Sequence, residues 1–297
     1  NPALPALRAA RLLADCVDEG PNAVDWVTEV EDEPSQVLAV ALSASIRGLA
    51  LDCTEAGARA LLGTASPTNE SWGGFLLLQS VLAVQKRYPE LHALMSSPSV
   101  AHLPTGMVYL FDAAAGYDVE VQAAEAAAGL TSDLDGQRVA NLWVLGEFEA
   151  HRGGAVALDR VISAMSRKSL DSGLELDARL TEILRARSVF LRDGSEGLAD
   201  LLALRPFGNV MWDLWGALVL ERALAAEALL GEGRLSEAER LASEIDTHRS
   251  AFHLLLLPRS LAVQAQVAEL QGRPEAALAF RTRLGRLEAP RVIEASR

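Results

Sequence analysis

Apolar and polar positions along this chain recur with the period of α-helices, and the helices come in pairs. In the C-terminal half the pattern predicts long first helices over 139–152, 174–193, 210–231 and 251–271. Each is followed by a shorter one, over 155–166, 196–204, 235–246 and 274–287. A glycine punctuates each pair: Gly153, Gly194, Gly233 and Gly272, with gaps of 41, 39 and 39 residues. Around the last two the local sequence nearly repeats, as Gly233-Arg234-Leu235-Ser236-Glu237-Ala238 and Gly272-Arg273-Pro274-Glu275-Ala276-Ala277. A single helical hairpin cannot bury its own apolar face, so a fixed period of this size predicts hairpins stacked on one another.

Carried toward the N-terminus, the period predicts weaker turns near Gly20-Pro21, Asp52-Cys53, Lys86-Arg87 and Gly116-Tyr117, for about eight hairpins in all. Pro34-Ser35 opens a helix. Arg167 to Gly173 reads as a polar connection, and Gly73-Gly74, between Trp72 and Phe75, as a helix break able to open a groove. Pro67, Pro98, Pro104, Pro206 and Pro258 are expected between helices or at their edges. The predicted architecture is an all-α solenoid in one continuous body. Residues 1–130 form its degenerate, acidic part, 131–290 its regular part, and 291–297 a tail.

Composition sharpens the fold class: hydrophobic residues make up 50% and aromatics 5%, so the core is mainly Ala, Leu and Val, with the best helix formers leading. Charge separates the halves. All of the net −13 lies in residues 1–150, while residues 151–297 balance to zero. Such a distribution argues against nucleic acid or an anionic membrane surface as partner and suits a basic protein. Cys16 and Cys53 both sit in apolar helical contexts and read as small buried hydrophobes; a disulfide between them stays open, but two cysteines in a chain this long are no disulfide framework. No apolar run is long enough for a membrane span, and no secretory signal opens the chain, so a cytoplasmic location is expected. The start at Asn1 is read as that of a fragment or processed product.

The stretch from Leu220 to Pro290 resembles tetratricopeptide repeats. Ala226, Gly233 and Ala238 fill the family's small-residue positions in one unit, and Ala265, Gly272 and Ala277 fill them in the next. Gly146 and Gly153 match in an earlier unit. The units run near forty residues rather than thirty-four, and aliphatics stand where the family has Trp or Tyr. The chain is thus similar to the longer, degenerate arrays attached to bacterial signalling proteins. That resemblance implies a right-handed α–α superhelix whose first helices line a concave, protein- or peptide-binding face. Carried over position by position, it implies an inner face of Trp143, Glu147 and His151, then Leu184, Ser188 and Arg192. Leu220 and Glu227 follow, and then Arg259, Gln266 and Glu269. A second candidate is the aromatic patch of Phe207, Met211, Trp212 and Trp215, a composition that also suits core packing between repeats.

Catalytic and cofactor signatures are missing. There is no phosphate-binding glycine loop and no nucleophile elbow, and no His-Glu-x-x-His pair occurs among the five histidines. His248 and His253 are poorly spaced for a metal, and the acidic run Glu29, Glu31, Asp32, Glu33 lacks the turn glycine of a calcium loop. The expectation is a non-enzymatic binding scaffold without cofactor or metal. A small-molecule sensor with its ligand in the superhelix lumen, or a self-association module, stands as the alternative.

Overall fold

The computed structural model describes residues 11, 34–45, 50–63, 69–194, 196–205, 218–247 and 251–289. Among these every regular element is helical, as the sequence pattern requires. The first helices are α1 (Pro34–Ser45), α2 (Leu51–Leu62), α3 (Asn69–Val84) and α4 (Tyr88–Met95), followed by a 3₁₀ turn at Pro98–Val100. Then come α5 (Thr105–Ala114), α6 (Glu120–Thr131), α7 (Val139–His151), α8 (Ala155–Ser172), α9 (Glu175–Asp193) and α10 (Leu198–Ala203). The series ends with α11 (Val219–Gly231), α12 (Leu235–Thr247), α13 (Ala251–Leu270) and α14 (Pro274–Glu288).

These helices divide into two compact units. Unit 1 takes α1–α4 from the beginning of the chain and α12–α14 from its end. In it α13 packs on its neighbours α12 and α14 and also on α3 and α1, a pairing outside nearest-neighbour stacking. Phe75, Leu77 and Val81 of α3 are completely covered, as are Leu255, Leu256 and Leu261 of α13. Unit 2 holds α5–α11, in which α7 packs against α5, α6, α8 and α9, and α10 against α9 and α11.

One turn recurs through both units. After α7, Gly153 (φ +71°) donates to the Ala150 carbonyl at 3.2 Å, and the next amide donates to Glu149 at 2.8 Å. The same pair of bonds follows α11 at Gly233-Arg234 and α13 at Gly272-Arg273. It follows α5 at Gly116-Tyr117, and α3 at Lys86-Arg87, where a non-glycine residue takes φ +57°. This is the Schellman closure, which satisfies two otherwise orphaned carbonyls and requires a left-handed residue. Gly194 differs: φ is +57° but ψ is −121°, and its amide makes a single bond, to the Phe190 carbonyl.

The structure revises several local expectations. Asp52 and Cys53 lie in the first turn of α2, not in a connection, because an Asp near a helix N-terminus is favoured there. The polar run from Arg167 continues α8 as far as Ser172, and the chain reverses only at Gly173 with φ +62°. Pro258 sits inside α13 rather than at an edge. Gly73 and Gly74 lie within α3, and they close a gap instead of opening a groove. A Cβ at Gly73 would stand 2.8 Å from Leu38 Cδ1; one at Gly74 would stand 2.7 Å from Leu61 Cβ and 3.0 Å from the Ala58 carbonyl. The small residues matched to the repeat family, Ala226, Ala238, Ala265 and Ala277, are all buried. Cys53 is disulfide-bonded, not a free buried thiol; the other cysteine, Cys16, lies outside the described residues. Gly20-Pro21, the acidic run at 29–33, Pro67 and Pro206 also lie outside them.

Candidate binding surfaces and a buried charge cluster

Of the residues assigned to an inner face, the first helices carry several into the interior. Trp143 on α7 is buried against Phe111 of α5, ring centroids 6.0 Å apart and tilted by 48°. One turn on, Glu147 is completely covered. Leu184, Ser188 and Leu220 are buried as well, and the Ser188 hydroxyl donates to Asp159 of α8 at 3.1 Å. His151, Arg192, Gln266 and Glu269 are exposed, while Glu227 and Arg259 are half-buried. Arg192 stands 3.5 Å from Asp159, and Glu269 pairs with Arg281 of α14. Arg259, Gln266 and Glu269 belong to unit 1 and the others to unit 2. The aromatic patch Phe207, Met211, Trp212 and Trp215 lies outside the described residues.

Two features went unread in the sequence. The first is a recess of about 410 Å³ in unit 1, between α2, α3, α4 and the 3₁₀ turn. Leu62, Leu78, Leu82 and Leu94 give it an apolar lining, with Arg59 and Glu90 among the polar residues around it. Those two belong to a closed network. Arg87 donates to Glu55 through Nη1 and Nη2 at 2.7 and 3.1 Å, and to Glu90 through Nε and Nη2 at 2.7 Å each. Arg59 donates to Glu55 at 2.9 Å and stands 3.4 Å from Glu90. Burial pulls the Glu55 carboxyl upward, but the hydrogen bonds from Arg87 and Arg59 outweigh it and hold the group below its ordinary value.

The second feature joins α7, α9 and α11 in unit 2. Arg187 Nε donates to Glu147 Oε2 at 3.1 Å, with both side chains almost wholly covered. Glu221 of α11, 2% exposed, adjoins the Glu147 carboxyl. Burial and then the charge of Glu147 push Glu221 well above the carboxylate range, and Arg187 offsets only part of this. A trace was present in the sequence: Glu147 and Arg187 are forty residues apart, one repeat length, each on an otherwise apolar stripe.

Among the described residues no cluster of His, Cys, Asp or Glu has a metal-binding arrangement. None of their helices is long and apolar enough to cross a membrane. These features define an all-α protein of two helical units. Comparison with known proteins finds no matching family model, curated protein or solved structure.

Proposed function

We propose that this chain is a helical-hairpin array of the tetratricopeptide-like type that holds a segment of another protein and performs no chemistry of its own. The observation that carries the binding part is the recess beside α2, α3 and α4: an aliphatic lining next to Arg59 and Glu90 suits an apolar anchor flanked by polar residues. The recurring turn, and the buried alanines beyond it, support the repeat part. The acid excess of residues 1–150 favours a basic segment as the occupant. In this reading the chain is a module of a larger bacterial signalling protein. A cytoplasmic location belongs to the same proposal, and the disulfide at Cys53 weighs against it, because such bridges are rare in reducing compartments.

A displayed peptide library panned against the whole chain tests this, with Ala93→Arg run in parallel. Ala93 is exposed and lines the recess, so the larger side chain blocks it without entering the core. The expected result is a set of peptides with an aliphatic anchor and basic flanks, selected by the parent and lost in the variant. Identical selection by both proteins, or none by either, overturns the proposal. The volume also falls in the range of small-ligand sites, so a bound apolar compound is the second reading. Native mass spectrometry of parent and variant distinguishes it.

A further inference from the structure

Inside unit 2, Glu147 Oε1 and both oxygens of Glu221 meet no hydrogen-bond donor from another residue. The two carboxyls share one guanidinium, and Arg187 Nε is directed at Glu147. With all three groups ionised, the cluster would hold one uncompensated negative charge out of contact with water. That arrangement costs several kcal/mol in a folded interior. The missing positive charge is also constrained in size, because Glu147 is 0% and Glu221 2% exposed, so no side chain of a partner reaches them. A proton is small enough. Placed on Glu221, it removes the excess charge, and the new O–H has an acceptor in the neighbouring Glu147 carboxyl, whose Oε1 is otherwise unused.

We infer that Glu221 carries a proton and donates it in a hydrogen bond to Glu147, and that this bond latches α11 onto α7 and α9. The surrounding charges do not provide another solution. On α7, Glu149 is influenced by Arg152 and Glu120. On α9, Arg192 faces Asp159 of α8, and Arg185 donates to Ser166 of α8. Arg179, also on α9, pairs with Glu182. Asp200 of α10 is exposed, and on α11 Arg222 and Glu227 are half-buried. Among the described residues, the charged side chains that act on Glu221 are Glu147 and Arg187.

The latch has a direction in pH. The carboxyl of Glu221 is raised on folding, so its contribution is fully present below the unfolded value of 4.5 and is lost as pH rises through the folded one. Once pH passes that folded value the O–H donor disappears and two adjacent carboxylates face a single arginine. The α11 contact then loosens.

Thermal melts of the whole chain and of Glu221→Gln, followed by tryptophan fluorescence between pH 5 and pH 9, test the inference. Trp143 lies one turn from Glu147, and the other four tryptophans are common to parent and variant. A neutral amide keeps a donor for Glu147 without having to retain a proton. Glu221→Gln is therefore expected to melt about 5 °C higher than the parent at pH 8, and the two to converge toward pH 5. The parent's infrared spectrum at pH 7 should also contain a protonated-carboxyl band. Its disappearance in Glu221→Gln assigns that band. A variant that melts below the parent at every pH, or a parent without the band, overturns the protonated Glu221. The infrared measurement stands even if the variant fails to fold.

Discussion

Glu55 in unit 1 and Glu221 in unit 2 are almost equally covered, at 3% and 2% exposure, yet folding shifts them in opposite directions. Glu55 accepts three bonds from two arginines, and those arginines reach outward to Glu90 at the half-exposed edge of the network. Glu221 accepts none from another side chain, and the charged groups that act on it are another carboxyl and an arginine already engaged with that carboxyl. Burial raises both carboxyls, more strongly at Glu221, and the donors aimed at Glu55 reverse its effect there. Unit 1 should therefore lose stability in acid and unit 2 in base.

The largest effect is expected from Arg87→Ala, which removes two of the three bonds to Glu55 and leaves that of Arg59. Breaking one side of a buried pair costs about 3 kcal/mol. Urea unfolding at pH 7 measures the loss. The folded Glu55 carboxyl lies below 4.5, so its contribution is present above that pH and lost as pH falls through the folded value. The parent's decline in acid should be smaller in Arg87→Ala. An unchanged acid profile would break the contrast between the units.

Gly74→Ala comes next. Alanine gains about 1 kcal/mol of helix propensity over glycine, whereas forcing a methyl into a closed contact costs about 1–3 kcal/mol. At Gly74 the obstacle includes the Ala58 carbonyl at 3.0 Å, a backbone atom that cannot swing aside. A net loss of about 1 kcal/mol is expected by urea unfolding; a gain would show that α2 and α3 do not approach this closely. Arg192→Ala is the smallest. Its partner Asp159 is half-exposed and 3.5 Å away, so stability should change by no more than about 0.5 kcal/mol in the same assay.

Helix positions in the regular half were legible because periodicity and turn chemistry agree there. The helices expected over 139–152 and 274–287 appear as Val139–His151 and Pro274–Glu288, each beside a turn glycine with positive φ. Where the two signals parted, the reading failed. Arg167 to Ser172 is polar but contains nothing that stops a helix, and Asp52 marks a helix start that the assumed spacing turned into a loop. Gly73 and Gly74 could not be resolved from local sequence, because their role depends on how near Leu38 and Leu61 come. The candidate site was harder still. Glu221 and Glu227 look alike on α11, but only the first points into the interior, and tertiary packing alone distinguishes them.

The order of the chain has a consequence for synthesis. Unit 2 is almost entirely a continuous insert between the two parts of unit 1, with α5 as its first helix and α11 as its last. A chain emerging from the ribosome therefore exposes α1–α4 first, then completes every helix of unit 2, and only afterwards delivers α12, α13 and α14. Helix α3 has to wait through the translation of more than half of this sequence before α13 arrives to pack against it. Contacts between segments so far apart in sequence are slow to form, and unburied aliphatic helices are prone to aggregate in the interval. Unit 1, unlike unit 2, cannot close until the last helices of this sequence have been made.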